Sequence, residues 1–585
     1  MDDSPAKSMD IAGNVWYNRH REARIIHGSK SGGKKMYRES GNVQVTFNDR
    51  MLFANEQAKK AVDGSRAKLV GDIVYPNVDE QKFASLFSEK GSRPNIPVRQ
   101  YVSALVLKRM YGLSDEVFLE FLRCGALNFQ YALHTTQDEV QPLSANSLRR
   151  FRRNVEAYNA EHGCDLIKEE FKSISEKMAV DMGLLPSEPG EEDGEEQSIL
   201  VRMDSMEIEA HGKAMGRIEI LYTTIVIVLR WLLKKGFGNI LTNAFAHYTE
   251  DGDKNKVIYY QQKEDKETGN ADNRLEELVR DMLKLKELME KNLSEEILSD
   301  ISEYSVFQRV LEEQTFVDAD GNRVPKDSKD ISADSVQNPF DTTMTYRYKR
   351  GKHHGFVMNV AEVIDGKGNG VVIHADVEPN TASDSSMCEK YIEQQPDNGT
   401  KQTLTADGAY SGEKLDKMAK QKGIDIRNTS LTGSTPYDID ADFEMSEDGE
   451  RIDRCPAGKV PETNKYNPNT GMVTATMPEN CCATCPHRDE CNTRFNKKGT
   501  VSKVVLSKNM ARRAKQTRSF SSDEGKANAR MRNGVEGIMS VMRRKYDIDR
   551  LPVFGLERIK IWIWTTLLSY NLVKYQKYTY YQKKA

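Results

Sequence analysis

The chain has 585 residues, 38% of them hydrophobic and 30% charged, and a net charge of −3. That length excludes a single compact core and predicts roughly two to four domains, while the composition suits a mostly globular protein with polar linkers. The charge is uneven: residues 494–585 hold 22 Lys and Arg against 6 Asp and Glu, a basic end of the kind that contacts nucleic acid.

The start, MDDSPAKSMD, is polar and acidic and reads as no secretory leader. Residues 1–70 are polar, contain the basic stretch RHREARIIHGSKSGGKKMYR, and are expected to be partly disordered. Residues 71–185 read as a helical domain. Val98, Tyr101, Leu105 and Met110 have helical spacing. Ser114 followed by Asp115 and Glu116 opens a second helix, and Ser144 a third that carries Arg149, Arg150, Arg152 and Arg153; these span more than one helical face and are expected to contact DNA phosphates, some of them packing instead. The acidic run PSEPGEEDGEEQ at 186–197 is a linker.

SILVRMD then reads as a strand ending at Asp204, opening the first part of an α/β core at 198–265. Leu275, Leu278, Met282, Leu285 and Met289 alternate at three and four, a short coiled-coil-like helix within an insertion at 266–330. The second part of the core, 331–440, reads as a hairpin over 356–377, a helix over 384–396, a strand 403–407 ending at Asp407, a helix over 412–423 and a last strand at 424–426. Residues 441–500 are cysteine-rich, and 501–585 return to the core with a basic tail. The apolar runs at 225–233 and 559–570 are shorter than the about 20 residues a membrane helix needs, so no membrane partner and a cytoplasmic location are expected.

Two aspartates at strand ends in an α/β sheet converge on one crevice. They repel unless a cation stands between them, and hard divalent ions that take oxygen ligands suit phosphate chemistry. Either aspartate alone is more often a turn or cap residue; their company gives them weight. LVRMDSMEI at 200–208, LTADGAYSG at 404–412 and RNGVEGIMSVMRRKY at 532–546 together resemble bacterial insertion-sequence transposases of the DDE class, in the group whose glutamate region reads Tyr-x2-Arg-x3-Glu-x6-Lys. The helical segment at 90–153 is similar to the N-terminal domain of the same enzymes.

The resemblance implies a ribonuclease H-like catalytic core with a helical N-terminal DNA-binding domain. It assigns Asp204, Asp407 and Glu536 as catalytic ligands of two Mg²⁺ ions, and Arg532 as the signature arginine. The signature tyrosine falls on Ala529 and its lysine on Arg543, which keeps the charge and alters the geometry. On one continuous helix Arg532, Glu536 and Arg543 would share a face, placing two cations where a DNA phosphate would sit. The implied partners are double-stranded DNA at transposon ends and target, with a homodimer or higher multimer on DNA near the bacterial nucleoid. Two other readings stay open: a DNA-binding protein that has lost catalysis, and a metal-dependent nuclease that cuts without joining.

Five of the eight cysteines fall between 455 and 491. In a reducing compartment such a cluster reads as a metal site before a disulfide framework. Cys482-x2-Cys485 has zinc-knuckle spacing, and Cys455 and Cys491 complete a structural Zn²⁺ site of four thiolates, with Cys481 and His487 as substitutes. Buried free thiols are the alternative.

Overall fold

The computed structural model describes residues 37, 39, 49–88, 94–137, 143–187, 198–250, 252–260, 271–348, 351–396 and 401–582. Most of the polar start and of the acidic linker lies outside the described residues. The chain divides into two compact units, Met1–Leu166 and Ile167–Ala585.

In the first unit helices begin at Arg50, inside the segment expected to be disordered. Short helices Arg50–Phe53, Glu56–Asp63 and Arg66–Leu69 start on Asp49, Asn55 and Ser65, whose side chains accept backbone N–H groups. Such caps satisfy donors that a helix start leaves open. Helix α1 (Val98–Tyr111) is buried on nearly every side and stops at Gly112, whose φ of 66° is left-handed and costs glycine little. Helix α2 (Asp115–Arg123) starts on Ser114, and α3 (Ala145–His162) on Ser144, which exchanges bonds with Ser147. Tyr101 of α1 stacks on Phe151 of α3 at 4.5 Å. Arg152 forks onto Asp115 with bonds of 3.1 and 2.5 Å, and Lys108 reaches the same carboxylate.

The second unit is built on a six-stranded sheet. Its strands are β1 (Ile199–Glu209), β2 (Thr345–Tyr348), β3 (Lys352–Ile364), β4 (Gly370–Pro379), β5 (Gln402–Ala406) and β6 (Ile424–Asn428). Strand β3 runs antiparallel to β1, β2 and β4, while β5 is parallel to β1 and β6 to β5. The hairpin, the two later strands and the helices between them thus follow the expected order. Helix α4 (Leu166–Asp181) belongs with this sheet rather than with the N-terminal helices: Ala179, Met182 and Leu184 pack on Val363, Val371 and Ile373.

The insertion is larger than 266–330. Among the described residues of the segment 198–265, only those of β1 join the sheet. Helices α5 (Arg217–Lys234), α6 (Ala271–Asn292) and α7 (Ser302–Gln314) share one apolar core running from Ile218 to Val336. The run at 225–233 is a helix of that core. Leu278, Met282, Leu285 and Met289 of α6 are buried against it, so their spacing serves packing on α5 and α7 rather than a coiled coil.

Helices α8 (Asp384–Glu393) and α9 (Glu413–Gln421) cover part of the sheet through Cys388, Tyr391, Ile392, Leu415 and Ala419. A small antiparallel sheet of Thr463–Asn467, Met472–Met477, Thr493–Phe495 and Ser502–Ser507 underlies the cysteine segment. Helices α10 (Lys508–Phe520), α11 (Asp523–Asn533), α12 (Glu536–Tyr546) and α13 (Leu556–Gln582) follow. Trp562 and Trp564 of α13 are buried, and fully burying such a side chain contributes roughly 2–3 kcal/mol. Asn571 of α13 is fully buried and satisfied: it donates to the Val372 carbonyl and to Ser175 Oγ, and accepts from the Val372 N–H. Tyr575 and Tyr578 pack on the sheet, while Tyr580 and Tyr581 are exposed.

Candidate active site

Asp204 lies within β1, and Asp407 directly follows β5. The parallel register pairs Arg202 with Thr405. The register ends there: Asp204, expected at the end of its strand, lies in the middle of β1, while Asp407 follows the end of β5 and acts on Asp204 by its charge. Gly408 makes the turn after Asp407 possible: a Cβ there would lie 2.6 Å from the Ser430 carbonyl oxygen. Asp407 Oδ1 accepts from the Ala409 N–H at 2.9 Å, and Asn428 Nδ2 donates to the Asp407 carbonyl at 2.8 Å. Both bonds hold the aspartate in a fixed turn at the strand end.

Glu536 opens α12 and is 64% exposed at its side chain. Arg532, near the end of α11, links it to the sheet. Its Nη2 donates to Asp204 Oδ2 at 2.6 Å and its Nη1 to Glu536 Oε1 at 3.1 Å. Arg532 and Glu536 stand on two helices, not one. Gly534 and Val535 donate to the carbonyls three residues back, Met531 and Arg532, in a tight turn, and α12 begins after it. The single shared face expected for Arg532, Glu536 and Arg543 is therefore interrupted, and Arg543 pairs with Asp549 at 3.5 Å.

Burial pushes the Asp204 carboxyl up to about 6; Arg532 and the Ser205 N–H oppose this, while the Asp407 and Asp384 carboxylates add to it. Asp384 escaped the sequence reading. It opens α8 after the cap Ser383, and Ser205 Oγ donates to its Oδ1 at 2.5 Å. Asn359, opposite Ser205 in the β1–β3 register, donates to the Tyr410 hydroxyl at 2.7 Å. Tyr410 is fully buried, and burial, then Asp384, Asp204 and Asp407, raise its phenol far above the ordinary value. It stays a neutral hydroxyl among three aspartates. A Ser-Asp helix start is the one local signal that pointed to Asp384; Tyr410 left none beyond its place three residues after Asp407.

Among the described residues, no group of three or more His, Cys, Asp or Glu side chains is arranged to hold a metal ion. Asp204 and Glu536 meet through the Arg532 guanidinium, so a positive charge already stands between two of the three predicted ligands.

The arginines expected to face DNA separate into two kinds. Arg149, Arg150 and Arg153 are exposed, whereas Arg152 is committed to Asp115.

Cys455, Cys482, Cys485 and Cys491 line one pocket together with His487. All are free thiols. Burial raises the Cys491 thiol, and the charges of Cys482, Cys485 and Cys455 raise it further. Cys481 lies beside them, its Sγ 3.6 Å from that of Cys482, and is pushed up to about 12 by burial and by Cys482.

No curated protein and no solved structure matches this chain. Residues 56–154 match the family model described as a transposase domain (DUF772), and residues 454–576 match the one described as a transposase DDE domain. The second match takes in the cysteine segment, Arg532 and Glu536. Together the two matches support an insertion-sequence DDE transposase, an enzyme that processes DNA.

Proposed function

We infer that the protein cuts the ends of its element and joins them to target DNA, with Asp204, Asp407 and Glu536 as the ligands of two Mg²⁺ ions. The observation that carries this reading is the Arg532 bridge: its guanidinium holds Asp204, 328 positions earlier in the chain, and Glu536 together, with Asp407 near enough to act on Asp204 by its charge. The donor set suits a hard cation: oxygen ligands only, and a buried aspartate whose charge is opposed by two neighbouring carboxylates. When bound, a pair of such ions stabilises the attacking and leaving oxygens of a phosphodiester.

The chain's own residues do the rest. The middle of β1 carries Asp204, and the turn after β5 carries Asp407, close enough for its charge to act on Asp204. Arg532 supplies a fixed positive charge where the scissile phosphate would sit and tethers the exposed Glu536 beside Asp204. Ser205 and Asp384 orient the β1 side of the crevice. The sheet order, with β3 antiparallel and β5 and β6 parallel to β1, supports a ribonuclease H-like core. Exposed Arg149, Arg150 and Arg153 on α3 supply phosphate contacts that position DNA without reading its sequence. No helix among the described residues is long and apolar enough to cross a membrane. The DNA partner, the cytoplasmic location and the multimer on paired ends are part of the same proposal.

A structural Zn²⁺ on Cys455, Cys482, Cys485 and Cys491 belongs to this proposal on their lining of one pocket, although among the described residues the thiols are not arranged to hold a metal. Such a site has no open ligand position and would brace the segment between Asp407 and Glu536.

A strand-transfer assay with pre-cut ends and Mg²⁺ tests the function. Joined product is expected. Cleavage without joining would mark a nuclease, and binding alone a protein that has lost catalysis.

A further inference from the structure

Arg202 sits two residues before Asp204 on β1, so both side chains leave the same face of the strand. Arg202 is almost fully buried, and all three guanidinium nitrogens are used. Nε and Nη2 hold Glu362 Oε2 at 2.7 and 2.6 Å, and Nη1 donates to the Met531 carbonyl at 3.1 Å. Glu362 faces Arg202 in the β1–β3 register, is wholly buried, and receives Lys574 of α13 on its other oxygen. Gly370 makes room for it: a Cβ there would lie 2.7 Å from Glu362 Oε1.

The Met531 contact falls at the turn between α11 and α12. Helix α11 has no buried residue, so apolar packing does not fix its position on the sheet. The Met531 carbonyl accepts from the Gly534 N–H at 3.3 Å within the turn, and Arg202 adds a second donor that ties the turn to β1. Gly534 then lies against the guanidinium. A Cβ at 534 would fall 1.6 Å from Arg202 Nη1 and 2.6 Å from Cζ. Its φ is −62°, ordinary for any residue, so the glycine serves the close approach rather than the backbone. Gly537, one residue after Glu536, has nothing within 4 Å of a Cβ.

We propose that Arg202 is a positioning residue. Anchored by Glu362 and Lys574, it holds the α11–α12 turn at a set distance from β1, and that distance brings Arg532 and Glu536 to Asp204. The proposal rests on the reading of Asp204 and Glu536 as the reacting site.

Gly534→Ala and Gly537→Ala in the full chain test it, alone and with Arg202→Lys. A displacement of about 1 Å at a reacting site costs on the order of 100-fold. Gly534→Ala is therefore expected to lower kcat for Mg²⁺-dependent cleavage by about that factor, with KM for DNA within about twofold. Hydrogen exchange of the amides at 531–540 should quicken in the same variant, and Gly537→Ala should match the parent in both. In the Arg202→Lys background, whose head group no longer fills the space, adding Gly534→Ala should change kcat by no more than about twofold. Parental rate and exchange in Gly534→Ala, an equal loss in Gly537→Ala, or a full further loss in the double variant would each overturn the proposal. If the parent shows no Mg²⁺-dependent cleavage, the transposase reading fails instead. The exchange comparison then judges the clamp alone: unchanged protection at 531–540 in Gly534→Ala overturns it.

Discussion

Arg532 donates to Asp204 from one guanidinium nitrogen and to Glu536 from another, at 2.6 and 3.1 Å. An arginine placed only to grip DNA would face the phosphate; this one spans two carboxylates. Arg532→Gln should therefore lower kcat by about 10- to 100-fold while leaving KM for DNA near the parent value. Steady-state cleavage at several salt concentrations checks this. A raised KM with a shallower salt dependence would return Arg532 to the DNA-contact role that the family signature suggested.

The three acidic side chains should behave as a unit. Asp204→Asn, Asp407→Asn and Glu536→Gln are each expected to abolish Mg²⁺-dependent cleavage while DNA binding in a mobility-shift assay persists. Asp384→Asn acts through Ser205 and the shared charge, so its loss should be milder, about tenfold. Full activity in any of the first three removes that residue from the site.

In the N-terminal unit the half-buried Asp115, paired with the buried Lys108, invites a stability measurement. Burial pushes its carboxyl up, but the fork from Arg152 and the Lys108 ammonium outweigh this and hold it well below the usual carboxylate range. A depressed carboxylate adds stability that is complete above the unfolded value of about 3.9 and is lost as pH falls toward the folded value. Asp115→Asn should cost about 3 kcal/mol at neutral pH, as breaking a buried pair does. It should also flatten the acid limb of the unfolding midpoint against pH. A variant with the parent's acid limb would show that Asp115 is not the group responsible.

The arginines of α3 should divide in the same way. Replacing Arg149, Arg150 and Arg153 by Ala together is expected to weaken DNA binding and to reduce the slope of log affinity against log salt by about 2–3, with the fold intact. Arg152→Ala should instead lower stability, because it strands Asp115. Affinity titrations at three salt concentrations, paired with thermal melts, separate the two outcomes.

Metal analysis of the purified chain should find about one zinc per protein, released by Cys482→Ser together with a drop in thermal midpoint. Substantially less zinc in the parent protein would leave the cysteines as packing residues of the small sheet.

What could be read along the chain was local. Apolar, β-branched runs marked the β3–β4 hairpin and β5, and Ser114 and Ser144 announced their helices, because strand composition and capping involve residues only a few positions apart. Asp204 and Asp407 stood out as strand-end carboxylates for the same reason, and the four thiols as a spacing. The tertiary structure decided the rest. The insertion spread from α5 to Val336 because an apolar run can serve any core that its neighbours build. Arg202, Glu362 and Lys574, 160 and 212 positions apart, found each other through sheet register and the docking of α13. The helix carrying Arg532 ends at Asn533, and the glycine beyond it leaves room for the Arg202 guanidinium. Which charges meet in a buried site depends on closing long loops around one core, and no short window of sequence contains that information.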